Sequence, residues 1–506
     1  MTAAGPSRWI LGLATTLATM LYAIDSTIVN VALPNIQGTL QATQDQAAWV
    51  ITSYIVVSAI ATPLAGWLGN RYGLRLVLGV SIIGFTVGSM LCGIATDLVE
   101  IVLFRIVQGA FGAALVPLSQ VVLLQEFPRA QHGRVMALWG MGVMVGPVIG
   151  PTLGGWLTDA LSWRWAFYIN VPLGVVAWLG IMAAVPKRRS EGVRPFDVTG
   201  FVLVSLALGV FSLMLDRGQT NDWFKSTEIV AESFIAAVSL YMFVVHSLTS
   251  RHPFFDIHLF RDRNFTVALI VMFVIGLTVI SPSVLAPGFL EQIKGYTPTQ
   301  AGVLMAARGA SSIVAMMVGA RLTSLLGARP TMAIGITAAS VSLWMMGQFS
   351  VDTAPQAFVI ASIVQGFGAP LTFMPLSLVA YTTLPDRART EAGVLLTLLR
   401  NIGASVGISA VVSLLARSAQ ANQTYLSEHF SAYATDRWQL VGALPGANVA
   451  TGALIGEMER QAAAIAYAND FYLLAACTIV TLPLVLALRT SNVGPISALA
   501  AAESEH

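Results

Sequence analysis

Residues Ile106–Ser119 read IVQGAFGAALVPLS, and residues Ile363–Ser377 read IVQGFGAPLTFMPLS. Both stretches begin with Ile-Val-Gln-Gly and end with Pro-Leu-Ser, and they differ in length by one residue. Each lies inside a long apolar segment. An internal repeat of this kind indicates two copies of one structural unit within a single chain.

The composition indicates that most of the surface of this protein faces lipid. Charged residues make up 10% of the 506 residues, apolar residues make up 56%, and the mean hydropathy is +0.74. An ordinary soluble domain has about 25% charged residues. The two cysteines, Cys92 and Cys477, both lie in apolar segments, so a disulfide framework or a thiolate metal site is not expected.

The apolar segments predict fourteen membrane-spanning helices. A helix needs about 20 mostly apolar residues to cross a bilayer, and helices are expected because a lipid-exposed backbone must satisfy its own hydrogen bonds. The first segment continues into polar residues without a cleavage site, which favours a retained span over a signal peptide. The predicted spans are 10–33, 47–69, 75–95, 98–122, 134–157, 165–185, 198–216, 227–249, 265–289, 301–321, 330–349, 356–382, 392–416 and 469–488.

The distribution of basic residues predicts the orientation. With the N-terminus inside, 17 of the 27 Lys and Arg residues lie on the cytoplasmic side, seven lie on the outer side and three lie within spans. This is the positive-inside bias, so both termini are predicted to be cytoplasmic.

The repeat and the spans together predict the domain organisation. Residues 1–186 form a six-helix half, and residues 187–250 hold a charged linker (186–197) and two inserted spans. Residues 251–490 form the second half, with a polar outer region at 417–468 in which 453–467 is a candidate amphipathic helix, and 491–506 form a tail. Internal repeats around a central site are the usual construction of a secondary transporter.

Asp25 and Arg105 are charges inside predicted spans. A rise of about 1.5 Å per residue places Asp25 roughly 22 Å from the cytoplasmic boundary and Arg105 about 10 Å from the outer one, which are matching depths in a 30 Å core. An isolated charge there costs at least about 3 kcal/mol, so the two are expected to pair. Asp25 is then a candidate proton carrier, and Arg105 controls how readily it releases the proton. The structural alternative is a static ion pair that fixes helix packing.

Glycines form two further motifs. In the loop after span 2, Gly66, Asn70, Arg71, Gly73 and Arg75 make a tight basic turn, whose simplest explanation is the topology rule alone. In span 5, Gly142, Gly146, Gly150 and Gly154 are spaced four apart, so a neighbouring helix can approach closely. Pro147 and Pro151 each remove a helix hydrogen bond, and Gly155 ends the stretch. This helix is either a hinge or a site of close packing.

These motifs together resemble the major facilitator superfamily, and most of all its fourteen-span drug:proton antiporters of the EmrB/QacA type, including EmrB permease subunits. The resemblance covers nearly the whole chain. It rests on the following stretches: Asp25–Pro34, Gly66–Arg75, Arg105–Ala114, Gly142–Gly155, Trp163–Gly174, Met214–Gly218, Leu259–Phe265 and Phe373–Ser377.

The resemblance implies an all-α membrane protein with two six-helix halves and two inserted helices. It further implies export of hydrophobic drugs by alternating access from a bacterial inner membrane, driven by the proton motive force without a cofactor. An EmrA-type periplasmic adaptor and an outer-membrane channel are the implied partners, and region 417–468 is a candidate contact for the adaptor. The expected substrate cavity includes Tyr22, Asn30, Gln108, Gln365 and Arg400.

The sequence departs from the family pattern at several positions. Asn70 stands where the loop motif usually has Asp, and Ser362 stands where the repeat would place a second Arg105. Arg308 and Arg400 are intramembrane cations outside the motifs, and either could favour an anionic substrate.

Two other functions remain compatible with the sequence: export of one endogenous metabolite, siderophore or lipid, and a membrane sensor or scaffold. The sequence shows no Ser/His/Asp set, phosphate-binding loop or metal-ligand spacing, so neither an enzyme, a nucleic-acid binder nor an ATP-driven pump is expected.

Overall fold

A computed structural model describes residues 6–128, 131–187, 195–384, 388–442 and 447–488. Within these ranges the chain is all-helical, and thirteen segments are long and apolar enough to cross a membrane. A further helix, His132–Ala160, lies at the position of the fifth predicted span. Each of the fourteen predicted spans therefore corresponds to a helix, and the predicted all-α fold is confirmed.

The first six spans are built from eight helices. Spans 4 and 6 each consist of two consecutive helices, and the other four are single helices. The bounds are α1 Pro6–Thr39, α2 Gln44–Tyr72, α3 Leu74–Ile94, α4 Leu98–Gly112, α5 Leu115–Glu126, α6 His132–Ala160, α7 Trp165–Tyr168 and α8 Asn170–Ala184.

Local sequence signals explain where these helices begin and end. Thr43 and Gln46 form a capping box at the start of α2, and the Asp97 side chain accepts a hydrogen bond from the backbone N–H of Glu100 at the start of α4. Both satisfy amide groups that have no partner within the helix. Gly73 separates α2 from α3 with φ of +86°, a conformation that favours glycine.

The inserted spans are α9 Val198–Arg217 and α10 Thr227–Thr249, which pack against each other. Helix α9 also packs on α2 and α16. Large apolar side chains on α10, among them Phe234 and Tyr241, are about 70% exposed. A face of this kind suits lipid, which does not penalise exposed apolar surface.

The last six spans follow the same plan as the first six. They comprise α11 Arg263–Ile280, α12 Pro282–Gly288, a π-helical turn Phe289–Ile293, α13 Pro298–Leu326, α14 Ala328–Gly347, α15 Pro355–Thr382, α16 Arg389–Gly442, α17 Ala447–Ile479 and α18 Leu482–Leu486.

Helix pairing is equivalent in the two sets. In the first set, the first span packs on the fifth (α1 on α6), the second on the fourth (α2 on α4) and the third on the sixth (α3 on α8). In the second set, the same positions pair as α11 on α16, α13 on α15 and α14 on α17. Between the sets, α6 packs on α13 and α16 packs on α2. The sequence repeat therefore corresponds to a repeat in helix packing. Each of these contacts in one set has an equivalent in the other set.

The region 417–468 differs from the prediction of a polar outer segment with one amphipathic helix. Helix α16 continues without a break from its membrane span to Gly442, and α17 runs from Ala447 into the last span. The two extensions contact each other, since Gln423 Nε2 donates to Glu459 Oε1 at 3.1 Å and Asn422 Nδ2 donates to the carbonyl of Ala462 at 3.3 Å. Within the described residues, this region therefore consists of helical continuations of the last two spans, which we call the α16–α17 hairpin; residues 443–446 between them lie outside the described ranges.

Two predicted segments lie wholly or mainly outside the described residues. The tail 491–506 lies wholly outside them. Of the charged linker 186–197, residues 188–194 lie outside them.

Candidate functional site

The Asp25 carboxylate on α1 lies at the centre of a buried polar cluster. Its Oδ2 accepts a hydrogen bond from Arg105 Nη1 of α4 at 2.7 Å, and the side chains of Asp25 and Arg105 are 0% and 1% exposed. The contact predicted from matching depths is confirmed. Burial of both partners means that each charge depends on the other, because a lone ion in this environment would carry a large desolvation cost.

Two amide side chains occupy the second carboxylate oxygen. Gln108 Nε2 donates to Asp25 Oδ1 at 2.8 Å, and Asn170 Nδ2 donates to the same oxygen at 3.0 Å. Asn170 also contacts Ser89 Oγ at 3.0 Å, and Ser89 donates to the carbonyl of Phe167. Three donors therefore satisfy the two oxygens of this buried carboxylate.

Arg105 is held by groups other than Asp25 as well. Its Nε donates to the carbonyl of Val50 at 3.0 Å, and Nη1 also donates to Gln108 Oε1 at 2.8 Å. The guanidinium carbon lies 4.0 Å from the centre of the Tyr54 ring, which is a cation–π contact. The arginine therefore keeps favourable contacts even if the carboxylate loses its charge.

Helix α6 presents its glycines to α1, the helix that carries Asp25. A Cβ added at Gly142, Gly146 or Gly150 would overlap Thr16, Ala23 or Thr27, respectively, and Thr27 Oγ1 donates to the carbonyl of Gly146 at 3.0 Å. The predicted close approach is confirmed, and its partner is α1. The series continues at Gly154, where a Cβ would lie 3.3 Å from the Ile28 backbone.

Substitution of Gly146 by alanine is expected to destabilise the protein by about 1–3 kcal/mol, the usual cost of overpacking. The new Cβ would meet the backbone of Ala23, which cannot move without displacing α1. The measurement is the thermal unfolding midpoint of the purified protein in detergent. Gly155→Ala is the matched control on the same helix, because its Cβ meets only Val31 at 3.9 Å. Equal midpoints for the two variants would contradict the packing argument.

The loop motif between α2 and α3 contacts α8 of its own helix set and α16 of the other set. Arg75 donates to the carbonyl of Met182 on α8, and the Arg71 guanidinium lies 5.0 Å from the Trp67 ring. A Cβ at Gly66 would lie 3.6 Å from the Cβ of Val394 on α16. Asn70, where the family usually has Asp, also makes an interaction in the structure. The motif is thus part of the interface between the two helix sets.

The two sets meet on the side of the bundle where α1 begins. We call this side, which carries Arg71, Arg75 and Arg389, the basic side, and the opposite one the far side. The Trp139 and Phe373 rings stack at 6.0 Å, and Tyr381 Oη donates to Gln120 Oε1 at 3.5 Å. These contacts join helices of opposite sets and close the basic half of the interface.

The polar residues of α1 become more exposed towards the far side. Along one face of α1, Thr15 and Thr19 are fully buried, Tyr22 and Ser26 are half-buried, and Asn30 is exposed. Solvent exposure along this face of α1 therefore starts only at Tyr22. Below it, Thr15 and Thr19 bond to backbone carbonyls, and Trp139 Nε1 donates to Thr19 Oγ1 at 2.8 Å.

The structure separates the predicted cavity residues into two groups. Tyr22, Asn30 and Arg400 are partly or fully exposed, whereas Gln365 is 5% exposed and its Nε2 has no hydrogen-bond partner. Gln108 was predicted to line the cavity, but it is fully buried and bonds to Asp25 and Arg105. Its place on α4, one turn beyond Arg105, turns it towards the carboxylate instead of the open space.

The intramembrane cations Arg308 and Arg400 lie in the second set. Arg308 Nη2 donates to the carbonyl of Val279 at 2.6 Å and Nη1 donates to Ser283 Oγ at 3.0 Å. Arg400 Nη2 reaches Asn401 Oδ1 at 3.4 Å, and its side chain is within electrostatic range of Tyr22 on α1. Both residues are half-buried.

The sequence reasoning missed Asn170 and Ser89 as ligands of the site. Asn170 lies in the stretch Trp163–Gly174, whose resemblance to the family does not by itself assign any of its residues to a site. The available signal was an amide residue within an otherwise apolar span. Ser89 carried no such signal, because a single serine is common in membrane helices.

Comparison with known proteins agrees with this geometry. The model of the Major Facilitator Superfamily matches residues 15–286 and 268–458. The multidrug export protein EmrB of Haemophilus influenzae is 37% identical over 432 residues, which is 85% of this chain and 84% of the relative. EmrB of Escherichia coli K12 is 32% identical over 487 residues, or 95% of each chain.

Two further matches extend the comparison. The fatty acid resistance protein FarB of Neisseria gonorrhoeae is 33% identical over 442 residues, which is 87% of each chain. The crystal structure of the human organic anion transporter MFSD10 superposes with a TM-score of 0.62 at 13% identity, covering 95% of this chain and all of the other, and shows the same fold. The family match over most of the sequence, together with relatives above 30% identity over nearly their whole length, shows that this chain belongs to the major facilitator superfamily as an EmrB-type transporter.

Proposed function

We propose that this protein is a proton-coupled antiporter that exports hydrophobic toxic compounds by alternating access. The observation that carries the proposal is the buried Asp25–Arg105 pair at 2.7 Å, on a helix whose polar residues become exposed towards the far side, from Tyr22 to Asn30. The similarity to the multidrug export proteins named EmrB supports the substrate range. A titratable group beside the substrate path is what proton coupling requires.

The coupling step is the exchange of a proton on Asp25. A proton that arrives from the far side adds to a carboxylate oxygen and cancels the charge that Arg105 and the two amides stabilise. Arg105 then relies on Val50 and Tyr54, with which it already has contacts. Loss of the ion pair changes the relative free energies of the two conformations, which is how a bound proton can shift such an equilibrium.

The moving parts are proposed to be the two halves, 1–186 and 251–490, with 187–250 as the inserted segment. The equivalent pairing of helices within each half supports this division. Helix α6 is proposed to bend at Gly146-Pro147 and Gly150-Pro151, because its close contact with α1 would transmit a change at Asp25 directly.

We place the protein in the bacterial inner membrane with both termini cytoplasmic. The excess of Lys and Arg on the basic side supports this orientation. The exposed polar end of α1, at Asn30, then lies on the periplasmic side, where an exporter releases its substrate.

The α16–α17 hairpin is the proposed contact for an EmrA-type adaptor that leads to an outer-membrane channel. Helix α16 continues 26 residues past the predicted end of its span at residue 416, which corresponds to about 39 Å at 1.5 Å per residue. The hairpin therefore extends well beyond the lipid on the side where an adaptor would bind.

The proposed function is tested with the purified full chain in proteoliposomes that contain a pH-sensitive dye. An imposed proton gradient is expected to drive accumulation of a fluorescent hydrophobic substrate against its concentration gradient, with proton flow in the opposite direction. Collapse of the gradient with nigericin should abolish accumulation. Equal accumulation with and without the gradient would refute proton coupling, and no accumulation with an adaptor present would refute export.

A further inference from the structure

The end of the inserted helix α9 is bonded to both halves on the far side. The Asp216 carboxylate accepts a hydrogen bond from Thr52 Oγ1 of α2 at 2.6 Å. The backbone carbonyl of the preceding residue, Leu215, accepts one from Ser409 Oγ of α16 at 2.7 Å. Both hydroxyl-bearing side chains are buried. Two consecutive residues of an inserted helix therefore connect the first half of the protein to the second.

The turn between α9 and α10 adds another connection to α16. Trp223 Nε1 donates to Ser413 Oγ at 3.0 Å, and Trp223 packs against the same apolar cluster as Val406 of α16. Asp222 and Trp223 have φ of +54° and +53°, an unfavourable backbone conformation for residues other than glycine. Such a conformation persists only where surrounding contacts hold it, and it is typical of segments that switch.

We call this set of contacts the far-side clasp, which joins Thr52, Ser409 and Ser413 to Leu215, Asp216 and Trp223. The same two helices, α2 and α16, contact each other directly at Gly66 and Val394. Thr52 precedes Gly66 by 14 residues and Ser409 follows Val394 by 15 residues, which corresponds to about 21 and 22 Å at 1.5 Å per residue. The halves are thus joined directly on the basic side and through α9 on the far side.

The remaining contacts of α9 attach it to the first half. A Cβ at Gly209 would lie 2.9 Å from Ile60 Cδ1 of α2, and the Arg217 guanidinium lies 5.8 Å from the centre of the Trp49 ring on the same helix. Close contacts with α2 therefore extend from the middle of α9 to its end. We expect α9 to move with the first half, so the bonds to α16 are the ones that a relative movement of the halves would break.

The bonds to α16 depend on how α2 and α16 are positioned. A movement that separates these helices at Gly66 also changes their relative position at Thr52, because each helix is continuous between the two levels. A hydrogen bond needs its donor and acceptor within about 3.2 Å of each other. The clasp is therefore compatible with the conformation that is closed on the basic side and is lost when that side opens.

We propose that the inserted helices α9 and α10 act as a releasable clasp that holds the protein in the conformation closed on the basic side. Contacts that exist in only one of two conformations shift the equilibrium towards that conformation. Ser409 and Ser413 are then the residues of the second half that set this equilibrium. The inference rests on the proposed function only in taking the two halves as the moving parts.

The test is the rate of thiol labelling at two positions of the purified full chain in detergent, which requires no transport. Both native cysteines are replaced beforehand. Val394→Cys places a thiol on the basic side, where Val394 is fully buried, and Asn30→Cys places one at an exposed position on the far side. The labelling rate at position 394 reports the fraction of molecules that are open on the basic side.

Ser409→Ala and Ser413→Ala are each expected to raise the labelling rate at position 394 about fivefold, because each removes one hydrogen bond from the closed conformation. The double substitution should raise the rate further, and the rate at position 30 should stay the same or fall. Thr397→Val is the matched control. It removes a buried hydroxyl of α16 that donates to the Gly393 carbonyl of the same helix, and it should leave both rates unchanged.

A faster rate at both positions would indicate general loosening of the protein and would overturn the clasp. An unaltered rate at position 394 in the double variant would overturn it as well. If position 394 is never labelled in any variant, the halves do not move, and the alternating access of the proposed function fails together with the clasp. Clasp-dependent labelling in a protein that shows no driven transport would count against the proposed export function alone.

Discussion

Asn in place of Asp25 is expected to reduce transport driven by a pH gradient to the level of protein-free liposomes. The amide has nearly the shape of the carboxylate but cannot bind and release a proton. Exchange of labelled for unlabelled substrate across the membrane, which requires no net proton movement, should persist. The measurement compares these two modes in the same proteoliposome preparation. A variant that still couples substrate accumulation to the gradient would remove Asp25 from the mechanism.

The Asp25→Asn substitution also leaves Arg105 without its counterion, and breaking a buried ion pair costs about 3–5 kcal/mol. Reduced stability must therefore be separated from lost coupling. Asp25→Glu keeps the ionisable group and is expected to retain part of the driven transport. Asp352→Asn, an exposed position between α14 and α15, is the matched control for removal of one carboxylate and should transport normally.

A disulfide between Gly66→Cys and Val394→Cys is expected to stop transport completely and reversibly. The two Cβ positions lie 3.6 Å apart across the interface of the halves, within the range that a disulfide needs. The bond would hold the basic side closed, so the proposed alternating access could not open the protein to that side. The measurement is substrate transport after mild oxidation, followed by addition of a reducing agent.

The native cysteines are removed first, since Cys92 is buried and Cys477 is partly exposed. Each single cysteine variant serves as a control and should transport under both conditions, because neither alone can link α2 to α16. Full transport by the oxidised double variant, with the cross-link verified by mass, would show that the basic side need not open.

The pairing of Asp25 with Arg105 could be predicted from the sequence. The depths of these two residues follow from counting residues along two helices, because helical rise is constant, and the predicted pair was correct. The glycine spacing of α6 likewise predicted a close helix neighbour. The neighbour itself did not follow from the spacing, since any of several helices could have met that face. Asn170 and the buried position of Gln108 depended on how α4 and α8 are rotated about their axes.

The hairpin of α16 and α17 illustrates a second limit. Residues 417–468 are polar enough to look like a loop, and hydropathy marks only the part of a helix that contacts lipid. Whether a helix continues past the bilayer depends on local propensity and on a partner helix, here through contacts such as Gln423 with Glu459.

The sequence by itself determined the all-helical membrane fold, the number of spans, the repeat of two sets and the charges that the membrane would contain. These properties follow from the length of each apolar segment and from the free-energy cost of placing a charge in the membrane. Both can be read from each segment separately, without knowledge of how the helices pack. Only the tertiary structure decided the three donors around Asp25, the closed basic side and the contacts of α9 with both halves. Those features depend on the relative rotation of helices far apart in the chain, which residue spacing within one helix does not constrain.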